Sequence, residues 1–115
     1  MSQELEDRFL NFAKGIRDFC LKIKQDVINR EYIRQLIRAS GSVGANYIEA
    51  SDDLGKLDER MKIKIARREA KESVYWLELL LTNNDPSLEL ERTALIDEGN
   101  QIRKILSAII IKLSQ

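Results

Sequence analysis

Residues Arg38 to Ala50 read RASGSVGANYIEA, and whether they form a loop or a helix decides the architecture. Ser, Gly and Ala crowd together here, in a chain whose other segments are long and charged. A phosphate loop of the GxxxxGK[ST] kind follows a strand and needs Lys and a hydroxyl after its last Gly. Here Gly44 is followed by Ala45 and Asn46, no strand pattern precedes it, and GxGxxG does not occur. As a helix, the stretch costs about 1 kcal/mol for each of Gly41 and Gly44 relative to Ala. A closely packed partner offsets that cost, because a missing side chain lets two backbones approach. A break at Gly41 is the alternative.

The flanking residues favour the helix. Ile33, Leu36, Ile37, Val43, Tyr47 and Ile48 recur at helical spacing from about Arg30 to Asp53, and Ser40 and Gly44 share the face of Ile33, Leu36 and Tyr47. Upstream, Leu5, Phe9, Phe12, Ile16, Phe19, Ile23 and Val27 mark an amphipathic helix from about Ser2 to Val27, with a narrow apolar seam. Ser2 makes a plausible start, and Cys20 lies beside the seam as a small buried hydrophobe. Downstream, "DDLGKLD" (residues 52–58) is the first clear loop, with Gly55 expected as a C-terminal cap and Asp58 as the next N-cap.

The third segment runs from about Asp58 to Asn83. Ile63, Ala66, Ala70, Val74, Leu77 and Leu81 form one apolar stripe, and Arg60, Lys64, Arg67, Arg68 and Lys71 form a basic stripe beside it. Met61, Ile65, Trp76 and Leu79 point away from the first stripe. One apolar face suffices for a helix in a monomeric bundle. A second, holding a Trp, points to contact with another subunit; the alternative places Trp76 at the rim of the monomer core.

"TNNDPS" (residues 82–87) is an unambiguous break, with Asp85 as N-cap and the sole proline in the first turn of a fourth helix reaching about Leu113. Leu88, Leu95, Gly99, Ile102, Leu106, Ile109 and Leu113 supply its apolar face. Four segments of similar length with short connections predict one domain over residues 1–115, an all-α, antiparallel up-down-up-down four-helix bundle.

Composition narrows the function classes. Of 115 residues, 19 are Lys or Arg and 19 are Asp or Glu, so the chain lacks the uniformly basic character expected of a nucleic-acid binder. The balance is local: Met61 to Glu78 holds five basic and three acidic residues, a net of +2, whereas Leu79 to Gln101 holds one basic and five acidic, a net of −4. There is no histidine. That removes Ser-His-Asp and Cys-His nucleophile systems, HExxH zinc sites and the Glu-x-x-His di-iron motif. A lone cysteine rules out a disulfide framework within the chain. The acidic N-terminus is no signal peptide, and no apolar run approaches the ~20 residues of a membrane span. A cytoplasmic protein without a membrane association is expected. An enzymatic reading would gather Glu49, Glu69 and Glu72 around a hard cation. Their setting among Arg and Lys points to ordinary ion pairs instead, so neither enzyme activity nor a metal or other cofactor is expected.

"LIRASGSVGANYIEASDD" (residues 36–53) followed by "KIKIARREAKESVYWLELL" (residues 62–80) resembles the four-helix bundle protein family, small proteins often encoded in intervening sequences of bacterial large-subunit ribosomal RNA genes. Relatives include the accessory variability determinant of diversity-generating retroelements. The similarity spans essentially the whole chain. Ser42, Val43, Gly44, Ala45 and Asn46 match the motif of helix two; Glu69, Glu72, Tyr75, Trp76 and Leu77 match that of helix three. The resemblance implies a ring-forming antiparallel bundle, a homopentamer, and, for retroelement relatives, binding of nucleic acid and a reverse transcriptase through basic surfaces. Those relatives tend to be basic, whereas this chain is neutral, and it carries Ala50 where many have Gly.

The expected function is a non-enzymatic, oligomeric binding or assembly module. Arg60, Lys64, Arg67, Arg68 and Lys71 are its candidate nucleic-acid contacts, and Met61, Ile65, Trp76 and Leu79 its candidate oligomer interface. Ser42, Gly44, Ala45, Asn46 and Glu49 are assigned to helix packing, with Asn46 and Glu49 expected to hydrogen-bond near Arg67, Arg68 or Trp76 and fix the register. A structural ring with no nucleic-acid role is the alternative.

Overall fold

Each apolar periodicity becomes one helix. In the computed structural model, which describes residues 2–52 and 55–115, the elements are α1 (Gln3–Cys20), α2 (Val27–Ala50), α3 (Lys56–Leu79) and α4 (Pro86–Leu113). No strand occurs among the described residues. Each helix packs on two neighbours, α1 on α2 and α4, and α3 on α2 and α4, with no diagonal contact among the described residues. The result is a four-cornered bundle of 46 × 22 × 20 Å, as the spacing predicts.

The starts are chemically specified. Ser2 caps α1 by accepting the Leu5 N–H, and Asp85 caps α4 by accepting from Ser87 and Leu88, with Pro86 opening the helix; both were expected. The connections differ from expectation. α1 ends at Cys20 rather than Val27. Ile23 stays in the core from within the turn, while Val27 opens α2, behind Asp26, whose carboxylate accepts the Asn29 N–H. Asp26 therefore starts α2 earlier than Arg30. At the other end α2 stops at Ala50; Asp53, its expected limit, lies outside the described residues. Gly55 is not the cap of α2 but the N-cap of α3, at φ +108°, and Asp58 falls inside the first turn. That φ favours glycine, which is why this N-cap is a glycine.

The stretch Arg38–Ala50 is unbroken helix. Ser40, Val43, Tyr47 and Ala50 turn inward. A Cβ on Gly44 would lie 3.4 Å from the Phe9 Cβ, whereas one on Gly41 would meet nothing within 4 Å. Gly44 thus lets α1 come near, and Gly41 has no packing role inside the protomer. The tightest approach is at Gly99 of α4, where an added Cβ would sit 2.8 Å from Val74 Cγ2 and 3.3 Å from Phe12 Cζ. Val74 is β-branched and stiff on its helix, so it cannot swing aside cheaply. Gly99→Ala should therefore lower stability by about 1 kcal/mol in a denaturant melt, the overpacking outweighing the helix-propensity gain. Adding Val74→Ala should remove the clash, so that the two changes together cost less than their sum.

Phe9, Phe12, Ile16, Phe19, Leu36, Val43, Tyr47, Ile63, Leu77, Ile102 and Leu106 form the centre of the core. On α3 the expected stripe is buried except at its end, where Leu81 is exposed and Leu80 enters the core instead. The exit of α3 explains the change: Leu80 leaves helical geometry at ψ 137°, which reverses the side-chain order. The freed carbonyls are not left bare. Arg92 of α4 donates to the carbonyls of Leu77, Glu78 and Leu80 and is held by the Glu89 carboxylate at 2.7 Å. It caps the helix from outside, satisfying acceptors that every helix end leaves over. The Arg92 hydrogen bond also holds the Glu89 carboxyl below its usual range.

Asn29 does similar work between connections. Its amide donates to the carbonyls of Lys24 at 3.0 Å and Leu81 at 2.9 Å, and its Oδ1 accepts the Leu81 N–H at 2.9 Å. Beyond it the chain turns through Asn83 and Asn84, both left-handed at φ 56° and 60°, a conformation Asn tolerates better than most residues.

Candidate nucleic-acid interface

The antiparallel pairing of α3 and α4 folds the late part of one helix against the early part of the other. This places Lys64, Arg67, Arg68 and Lys71 opposite Arg103 and Lys104. Together with Asn100, Ser107, Ala108 and Ile111, these six cations line an open groove of about 950 Å³. No carboxylate lies within 4.0 Å of any of them among the described residues. Arg67 donates instead to Ser107 Oγ at 3.2 Å, and Arg103 to Asn100 Oδ1 at 3.0 Å. Both are half-buried on the floor, while Lys64, Arg68, Lys71 and Lys104 are more open on the rim.

The acids are occupied elsewhere. Glu98 binds Arg8 through two oxygens at 2.9 and 2.8 Å, and Glu91 binds Lys22 at 3.0 Å. Glu49 pairs with Lys62 at 3.0 Å, raising the Lys62 pKa through that hydrogen bond. Glu69 and Glu72 both turn to Arg38, at 3.2 and 3.6 Å. The Glu69 side chain is only 6% exposed, so Arg38 is what makes its burial tolerable. Zero net charge therefore hides a spatial separation: Glu49, Glu69, Glu72, Glu91 and Glu98 are spent on ties across the bundle, and the cations of one groove are left over.

Four of the five expected contacts, Lys64, Arg67, Arg68 and Lys71, share this groove; Arg60 is half-buried at the preceding turn of α3 and does not line it. Arg103 and Lys104 were missed as partners. Their signal was the hairpin at "TNNDPS", which brings the second half of α4 alongside the first half of α3.

Asn46 and Glu49 do not reach Arg67, Arg68 or Trp76. Asn46 donates to the Ser42 carbonyl of its own helix at 2.8 Å, and Glu49 is taken by Lys62. Ser42 itself donates to the Arg38 carbonyl at 2.8 Å, and Ala45 is exposed. The register ties are Arg38–Glu69 and Asn29–Leu81 instead. The three carboxylates Glu49, Glu69 and Glu72 do not converge, and no cluster able to hold a metal occurs among the described residues. Cys20 is buried, and desolvation pushes its thiol up to about 11, which makes it a poor nucleophile.

A second groove of about 610 Å³ lies along α2 and α3, lined by Arg38, Arg68, Lys71, Glu72, Tyr75 and Trp76. Arg68 and Lys71 belong to both grooves. Of the expected oligomer residues, Met61 is 53% exposed, and Ile65, Trp76 and Leu79 are half-buried. Trp76 stacks obliquely on Tyr32 at 6.1 Å and meets Tyr75 edge-on at 5.4 Å. On α2, Ile37, Gly41, Ala45 and Ile48 form an exposed stripe. No helix among the described residues is long and apolar enough to cross a membrane.

The family model described as 23S rRNA-intervening sequence protein matches residues 4–108. The chain is also similar to a crystal structure of a protein with unknown function from the S23 ribosomal protein family of Bacteroides thetaiotaomicron. The two share 30% identity over 91% of this chain and 96% of that one, with a TM-score of 0.77. No curated protein matches.

Proposed function

The chain belongs to the 23S rRNA-intervening sequence protein family, and on that premise we propose that it is a cytoplasmic, non-enzymatic module that binds nucleic acid through the α3–α4 groove. The observation that carries this reading is the set of six cations in one groove, without a carboxylate partner among the described residues. Like charges held together disfavour the compact state unless something anionic lies among them. Phosphates arrayed along a backbone match that need, and Arg supplies forked donors suited to them. Such contacts grip the backbone rather than read bases.

The test is binding of a labelled single-stranded RNA at low and moderate salt. Arg67→Ala with Arg103→Ala should weaken it on the order of 100-fold at low salt. The slope of log affinity against log salt should become shallower by about 2, one for each phosphate no longer gripped. Failure of the unsubstituted protein to bind at low salt would sink this reading.

A second reading, self-association into a ring, is favoured by the apolar side chains left outside the core, Ile37 and Ile48 on α2 and Met61 on α3. It is compatible with the first, since none of these residues lines the basic groove. Light scattering at micromolar concentration decides it; a monomer there would contradict it.

A further inference from the structure

We propose that the groove holds a single strand, whose unpaired bases stack on Tyr75; this rests on the reading of the groove as a phosphate site. Lys64, Arg68, Lys71 and Tyr75 follow one another at intervals of four, three and four along α3. They form one row on that helix, about 16 Å from first to last. The cations thus run directly into an aromatic ring. Tyr75 is 58% exposed, so the core does not require it. Its orientation is nevertheless set, because Trp76 meets it edge-on and Tyr32 backs Trp76. A fixed, wetted ring at the end of a basic track is what strand-binding surfaces use to receive bases.

The two grooves divide the labour. In the first, Arg67 and Arg103 lie half-buried among the exposed Lys64, Arg68, Lys71 and Lys104. A flexible single backbone can fold down onto the two arginines; a stiff duplex meets the four exposed cations first. In the second, Glu72 stands in the wall beside Tyr75. Arg38 takes up that carboxylate at 3.6 Å, so Arg68 and Lys71 remain as phosphate donors beside an exposed ring that is open to a base.

The test compares a labelled oligoadenylate of about 12 nucleotides, the corresponding deoxyadenylate strand, and that strand annealed to its complement, all at one salt concentration. Both single strands should bind more tightly than the duplex. Tyr75→Ala should weaken strand binding about tenfold and leave duplex binding unchanged, while Tyr75→Phe keeps the strand affinity. A duplex bound as tightly as the strands, or a Tyr75→Ala effect equal on both or absent, overturns the single-strand assignment and leaves the phosphate reading standing. Absence of binding by all three probes overturns both.

Discussion

Replacing Phe9 by Ala should destabilise the bundle by about 4 kcal/mol, a lowering of Tm on the order of 15 °C. The ring is 0% exposed and packs edge-on against Tyr47, centroids 4.9 Å apart at 86°. Tyr47 in turn accepts the Ser2 backbone N–H through its hydroxyl at 3.0 Å. Removing the ring therefore opens a void where α1 meets α2, beside Gly44, and deprives Tyr47 of its neighbour. Gly44 has no side chain with which to refill the space, so collapse around the void is limited and the loss belongs in the upper part of the range for such changes. Phe9→Leu, which keeps most of the volume, should cost less than half as much. An equal loss for Leu and Ala in a urea melt would mean that ring geometry, not filled volume, holds this corner.

Asn29→Leu should cost about 3 kcal/mol although it makes a buried site more apolar. Asn29 is fully buried, and all three of its side-chain hydrogen bonds go to backbone groups that a leucine cannot satisfy. They join the α1–α2 turn to the exit of α3, so the loss is felt in two connections at once. Hydrogen exchange should show the Leu81 amide losing protection before the core of α3 does. A variant within about 1 kcal/mol of the parent would show that water replaces the amide and that the connections stand without it.

The four helices were legible because each apolar spacing has a single geometric solution, and because Ser2, Asp85 and Pro86 are chemically committed to helix starts. The connections were less legible for a specific reason. Ile23 is buried from non-helical backbone, and Leu81 lies past the end of α3 and is exposed, so an apolar residue in register with a stripe did not mean that the helix continued. Gly55 was misplaced because glycine serves either side of a break, and only its φ tells which. The basic stripe on α3 was visible in one dimension. Its completion by Arg103 and Lys104 needed the antiparallel neighbour, and its lack of counter-charges needed the knowledge of which carboxylates had gone elsewhere. Arg92 and Asn29 gave no warning at all, since a polar side chain that serves distant carbonyls leaves no periodic trace.

The allocation of carboxylates has one more consequence. Along the extended chain Glu69 and Glu72 alternate with Arg67, Arg68 and Lys71, so an unfolded copy offers a polyanion only a blurred, nearly cancelled field. Folding draws those two acids toward Arg38 and exposes the opposite sign as a coherent surface. A polyanion that grips this surface would thus bind the native state alone, and by mass action it would shift the folding equilibrium toward the bundle.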